Sequence, residues 1–198
     1  MDKKLLRKEL LAVRQEIAAT RPEAAKELAR NIVGWLEANP QFSSVGLYYP
    51  IQSEPDLMEA LGAWQSEKPG RMLALPVVMK GKMGYYQWTP GVEMVESGFH
   101  IMVPKEKIPV VPQVLLAPCI GFSDIGCRLG YGAGWFDRTL PTIKPAPVTV
   151  AVSYEACNAT GRLEAEPHDI LLQWIATERD VRPARSRVKT TVTDSQSF

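Results

Sequence analysis

Histidine is scarce in this 198-residue chain, and the two present, His100 and His168, are too few for a histidine-rich metal centre. Cysteine is scarce too. Cys119, Cys127 and Cys157 make an odd set with no C-x-x-C, which fits reduced thiols better than a disulfide framework. No apolar run is long enough to span a bilayer, and the N-terminal segment is charged and amphipathic, unlike a secretion signal. Net charge is almost absent, +1 at neutral pH, so the overall field gives no reason to expect nucleic acid or an anionic membrane as a partner. Internal repeats are missing. The length and a hydrophobic fraction of 45% predict one soluble, cytoplasmic domain with a sizeable core. That domain is placed at residues 1–180, and residues 181–198 read as a polar, Ser/Thr-rich tail without fixed structure.

What is present is concentrated in Cys119 to Leu140, CIGFSDIGCRLGYGAGWFDRTL. An apolar run, Val114-Leu115-Leu116-Ala117, precedes it with the composition of a buried strand. The stretch supplies Arg128, glycines at 130, 132 and 134, the aromatics Trp135 and Phe136, and Asp137. Glycines at that density permit positive φ and let an anion approach backbone N–H groups closely. A helix starting near Gly134 would add partial positive charge there. Arg128 adds a full charge, and Asp137 offers the hard oxygen that Mg²⁺ prefers. Together these compose a nucleotide-site constellation. The alternative is a tight turn followed by a capping Asp. No GK[ST] follows, and the spacing is not G-x-G-x-x-G, so neither familiar phosphate loop is present.

Residues 2–19 predict an amphipathic helix with Leu6, Leu10, Val13 and Ile17 inward. Lys3, Arg7 and Arg14 form a second stripe about 70° away, at the rim of the buried face. Cations in a first helical turn oppose the macrodipole, and a nearby anion would relieve that. A solvated basic face is the other reading. Thr20-Arg21-Pro22-Glu23 has the pattern of a capping box opening a second helix to about residue 38. Residues 45–49 predict a strand, and Ser53-Glu54-Pro55-Asp56 a helix start. Residues 72–79 and 85–88 predict strands around a Lys80-Gly81-Lys82 turn, with Trp88 open between core and pocket. Further strands are expected at 149–154 and 171–177. His100 reads as a loop or core residue. For His168 a structural hydrogen bond and a place near the site stay open.

From Arg128 to Arg138, RLGYGAGWFDR, the chain resembles the signature of the 5-formyltetrahydrofolate cyclo-ligase (5,10-methenyltetrahydrofolate synthetase) family, approximately F-D-x-x-G-x-R-L-G-x-G-x-G-Y-Y-D. The resemblance runs to about Glu178. It implies that Lys3, Lys4 and Arg7, which match the family's K-x-x-L-R, bind ATP together with Arg128, Leu129, Gly130, Tyr131, Gly132, Ala133, Gly134, Trp135 and Phe136. It implies a pterin site at Tyr49 and Glu54, shared by Tyr131 and Trp135. A carboxylate can accept paired N–H bonds from the pterin, and an aromatic wall can stack on it. It also implies Mg²⁺ at Asp137 and Asp169, with Arg128 and Asp137 catalytic. Four departures stand out. Val103 occupies the place of a family Glu. Ser123 replaces an Asp, although Asp124 follows and could take its role. Ala133 replaces Gly or Lys and is tolerable only without positive φ. Trp135-Phe136 replaces Tyr-Tyr, which removes both hydroxyls as proton donors.

Alternating strands and helices predict an α/β fold with a largely parallel sheet, and the resemblance implies a three-layer Rossmann-like arrangement flanked by helices. The function it implies is ATP- and Mg²⁺-dependent cyclisation of 5-formyltetrahydrofolate by a monomer. Two other classes remain: a diverged ATP-binding relative with another small substrate, and a non-catalytic protein on the same scaffold.

Overall fold

The computed structural model describes residues 2–98 and 101–185. The expectations for His100 and for most of the tail, residues 186–198, lie outside the described residues. The chain runs through α1 (Lys3–Thr20), α2 (Glu23–Glu37), β1 (Ser44–Gly46), α3 (Met58–Glu67), β2 (Met72–Met79) and β3 (Lys82–Trp88). It continues with β4 (Met94–Glu96), β5 (Met102–Pro104), β6 (Val114–Pro118), β7 (Gly121–Phe122), β8 (Arg128–Leu129) and α4 (Trp135–Thr139). β9 (Val148–Val152), β10 (Trp174–Ala176) and β11 (Val181–Pro183) complete it.

Seven strands form one sheet in the order β11-β10-β9-β6-β1-β2-β3. The five inner strands are parallel, and β3 and β11 close the two edges antiparallel. The fold is the expected α/β arrangement with a largely parallel sheet. From β1 the chain builds one way, through α3 to β2 and β3. It then crosses back to β6 and builds the other way through β9 and β10. The strand order therefore reverses between β1 and β6, the point where open α/β sheets bind ligands beyond their carboxyl ends.

Side chains of the inner strands alternate between two buried faces. Val114 and Leu116 of β6 join a core with Leu28 and Ile32 of α2 and Leu61 and Trp64 of α3. Leu115 and Ala117 face a second core with Phe122, Leu140 and Leu172. Each fully buried Leu contributes about 1.5–3 kcal/mol by leaving water. The antiparallel β7–β8 ribbon lies outside the main sheet, and α1 packs Leu6 and Leu10 on Ile120, Cys127 and Leu129 beside it. Among the described residues no helix is long and apolar enough to cross a membrane.

Three local expectations are corrected, and one open reading is decided. Thr20 does not cap α2: it ends α1, and its hydroxyl donates to the Glu16 carbonyl at 2.8 Å. A hydroxyl bonded four residues back continues a helix as readily as it caps one. Residues 53–56 are a loop, since the left-handed φ values of Gln52 (46°) and Ser53 (63°) are incompatible with a helix, and α3 begins at Met58. Trp88 is resolved as core. The boundary at residue 180 also moves, because 181–183 form β11, where Arg182 pairs with Glu155 at 2.9 Å. Pro183 can end that strand because it lies at a sheet edge.

Candidate active site

Arg128 leaves the β7–β8 ribbon with its side chain nearly buried and meets Asp137 of α4, Nη2 to Oδ2, at 2.6 Å. Its guanidinium lies over the Phe136 ring, 4.9 Å from the centroid. The other Asp137 oxygen accepts from the Ile170 N–H at 3.2 Å. Between Arg128 and Asp137 runs the glycine loop. Gly132 (φ 99°) and Gly134 (φ 64°) hold left-handed conformations that an L side chain would strain. Ala133 between them has no positive φ, so its methyl group is accommodated and the condition set by the sequence is met. α4 has only five residues, so it adds little dipole, and the positive charge here comes from side chains.

Helix α1 supplies those side chains. Arg7 donates from Nε to the Gly130 carbonyl at 2.8 Å, and its guanidinium would sit 3.7 Å from a Cβ on Gly132. Lys3 lies 3.1 Å from Glu166 and 3.3 Å from Asp169. Burial pulls the Lys3 ammonium down, but the hydrogen bonds to these carboxylates outweigh it and leave its pKa raised. Burial likewise pushes the Asp169 carboxyl up, and the Glu166 N–H and Lys3 overcome this to hold it low. Lys4 is exposed, its side chain unpaired among the described residues, while its N–H donates to the capping Asp2 carboxylate.

The third cation of the stripe behaves differently. Arg14 was expected at the rim, and it is fully buried. Its Nη2 donates to the Tyr131 hydroxyl at 2.5 Å, and Nη1 to the Cys119 carbonyl at 3.4 Å. Tyr131 in turn donates to Glu54 Oε1 at 3.0 Å, and Glu54 Oε2 accepts from the Ile51 N–H at 3.0 Å. Burial raises the Glu54 carboxyl above its usual value, opposed by the Ile51 N–H, Arg14 and Tyr131. Burial also pushes the Tyr131 hydroxyl up to about 12. The line Arg14–Tyr131–Glu54 thus joins the glycine loop to the carboxyl end of β1, at the reversal of strand order. Tyr49 is half-buried there against the main core, and Trp135 carries the Arg138 guanidinium 4.8 Å from its ring centroid.

Arg14 is the residue that sequence reasoning left out of the site. The signal was its place on one helical stripe with Lys3 and Arg7. What a helical wheel cannot show is that the sheet end and the loop close over that turn.

The donor chemistry suits Mg²⁺: Asp137 and Asp169 offer hard carboxylate oxygens, and Ile170, which bonds Asp137, directly follows Asp169. Each carboxylate presently faces a cation, Arg128 or Lys3. Among the described residues, Glu166, His168 and Asp169 are three possible ligands within 4.8 Å of one another, and Asp137 is not part of that group. His168 is exposed, 3.3 Å from Glu166. All three cysteines are free and buried, and burial pushes Cys119 up to about 12 and Cys127 and Cys157 to about 11. None is an activated nucleophile. A cavity of about 600 Å³ lies between β3 and the β4–β5 hairpin, lined by Gln87, Thr89, Glu93, Lys105 and Ile108, and touches none of the expected site residues.

A family model described as the 5-formyltetrahydrofolate cyclo-ligase family matches residues 1–178. The chain belongs to that family. A 5-formyltetrahydrofolate cyclo-ligase of Mycolicibacterium smegmatis is 30% identical over 193 residues, covering 90% of this chain and 94% of the relative. One from Escherichia coli is 28% identical, covering 85% of this chain and 98% of the relative. The NMR structure of Aquifex aeolicus 5,10-methenyltetrahydrofolate synthetase superposes with a TM-score of 0.76 at 29% identity, covering all of this chain and 96% of that one. As a cyclo-ligase family member the chain keeps the arginine, glycines and Asp of the signature. Of its departures, Asp124 accepts from Asn158 Nδ2 at 3.0 Å and lies 3.6 Å from Arg185. Ser123, in the family's Asp position, is buried with its hydroxyl unpaired, and Val103 is buried in β5.

Proposed function

We propose that the protein converts 5-formyltetrahydrofolate to 5,10-methenyltetrahydrofolate while ATP is hydrolysed to ADP and phosphate. The observation that carries this reading is the 3.0 Å hydrogen bond from Tyr131, in the glycine loop, to Glu54. It sets a cradle suited to phosphates against a carboxylate suited to a pterin. The chemistry requires that adjacency. A formyl group on nitrogen is a poor electrophile, and its oxygen a poor leaving group. In the proposed sequence the formyl oxygen attacks the γ-phosphorus and ADP leaves, giving an iminium phosphate. N10 then attacks the activated carbon and loses its proton, the ring closes, and the C–O bond breaks to release phosphate.

Such a transfer depends on positioning and charge neutralisation more than on a side-chain nucleophile. Lys3, Arg7 and Arg128, with the loop N–H groups, would hold the phosphates, and exposed Lys4 would approach them from the same helical turn. Glu54 and Tyr49 would orient the pterin, with Tyr131 and Trp135 beside them. Asp137 and Asp169 would hold Mg²⁺, which would supply positive charge at the phosphate oxygens. Arg128 and Lys3 would then trade carboxylate partners for phosphate, so no buried charge is left alone. One chain contains all of these groups, so a monomer suffices.

The deciding experiment mixes purified protein with 5-formyltetrahydrofolate, Mg²⁺ and ATP and follows the near-ultraviolet absorption of methenyltetrahydrofolate. The expected result is a band that grows only with both ATP and Mg²⁺. A flat trace with ATP bound would favour a diverged relative acting on another small substrate. The observation behind that second reading is Ser123, whose unpaired hydroxyl stands where the family carries a carboxylate.

A further inference from the structure

Arg14 presents a physical problem that the proposed reaction does not use. A guanidinium with no exposed surface must have its charge balanced nearby, or folding would leave an uncompensated ion in the interior. Yet among the described residues no carboxylate touches it. Its hydrogen bonds go to the Cys119 carbonyl, which also accepts from Ser153, and to the Tyr131 hydroxyl, its guanidinium lies 5.7 Å from the Tyr131 ring centroid, and its Nε has no hydrogen-bond partner among the described residues. The balancing charge lies one hydroxyl further on, at Glu54. Tyr131 accepts from Arg14 and donates to Glu54, so its single proton has a fixed direction. Tyr131 is 40% exposed, yet its oxygen reaches inward to both Arg14 and Glu54.

We propose that Arg14 is a positioning residue of this site, holding Glu54 ionised and aimed at its ligand through the hydroxyl of Tyr131. The inference rests on the reading of Glu54 as the substrate-binding carboxylate. It assigns a role to a residue outside the resemblance to the family signature. It also makes Tyr131 the link between the loop that would take phosphate and the group that would take the pterin. The charged hydrogen bond at each step is of the strong class, and losing one weakens what it supports by roughly tenfold or more.

The test is direct binding of 5-formyltetrahydrofolate, without ATP, by quenching of tryptophan fluorescence. ATP binding is measured in parallel, and thermal melting qualifies each variant. Tyr131→Phe removes one hydroxyl from an exposed ring and is expected to fold. Arg14→Lys and Arg14→Gln are both made because the site is buried. The expected result is that Tyr131→Phe and the Arg14 variants each weaken folate binding about tenfold, and weaken ATP binding by a clearly smaller factor. In a Tyr131→Phe background the Arg14 substitution should add less than about twofold, because it acts through the hydroxyl already removed. Effects that multiply would assign Arg14 a structural role and overturn the proposal. Glu54→Gln separates the levels. If it weakens binding and Tyr131→Phe does not, the relay fails and the reading of Glu54 stands. If neither changes binding, both fall. If only Tyr131→Phe matters, Tyr131 itself touches the ligand and the relay is again overturned.

Discussion

Two sets of charges meet at the end of the sheet, and they are balanced in different ways. At the rim, two cations touch carboxylates directly: Arg128 meets Asp137 at 2.6 Å, and Lys3 meets Glu166 and Asp169 at 3.1 and 3.3 Å, while Arg7 donates to the Gly130 carbonyl. Inside, Arg14 reaches Glu54 only through Tyr131. The Lys3 pairs are partly open to solvent and the Arg128–Asp137 pair is nearly buried, so exchange for phosphate and metal would cost little at Lys3 and would need a replacement charge at Arg128. The inner line is closed, and an exchange there would strand a buried ion. The contrast separates groups that would change partners during turnover from groups that would hold a ligand's orientation.

The largest expected effect is at the rim. Asp137→Asn should lower Mg²⁺-dependent ATP turnover by about 10²–10³-fold, the loss of several kcal/mol of charge stabilisation, and steady-state kinetics would register it. Asp137→Ala should in addition lower stability by as much as about 3 kcal/mol, since Arg128 is left buried and unpaired. Denaturant unfolding of the two variants separates the effects. Undiminished turnover in Asp137→Asn would remove it as a metal ligand.

Next in size is the inner carboxylate. Glu54→Ala should weaken folate binding by roughly 10–100-fold and ATP binding by far less. Equal weakening of both would erase the distinction between rim and interior. A pH profile sharpens the same point. Burial raises the Glu54 carboxyl above its ordinary 4.5, so an ionised Glu54 is lost on acidification before an exposed one would be. The acid limb of kcat/KM for the folate should therefore lie above 4.5 and disappear in Glu54→Gln.

The smallest effect belongs to Lys3. Asp169 is held below its ordinary 3.8, because Lys3 and the Glu166 N–H outweigh burial. A depressed carboxyl contributes stability that is present above its unfolded value and lost as pH falls through the folded one. Lys3→Met should thus cost about 0.5–1 kcal/mol near neutral pH, and the difference should fade in acid, as pH falls below 3.8 and through the folded Asp169 value. Melting curves at neutral and acid pH check it. A difference that persists in acid would show that Lys3 acts through packing.

Much of this arrangement was legible in the residues. The unbroken apolar run 114–117 marked a strand buried on both faces, and Lys80-Gly81 marked the turn between β2 and β3. The glycine loop with Arg128 and Asp137 had the composition of an anion site, with a tight turn and a capping Asp as the other reading. Periodicity placed Lys3, Arg7 and Arg14 on one stripe of α1, because a helix fixes which residues share a face. Periodicity could not tell which turns of that stripe would be covered. Burial of Arg14 follows from where β6 ends and the glycine loop closes, contacts more than a hundred residues away in sequence. The same limit explains β11, whose three residues Val181-Arg182-Pro183 are too few to carry a strand pattern and pair along the edge that β10 offers. Local chemistry therefore determined the site's components, and long-range packing decided which of its charges remain exchangeable and which are locked.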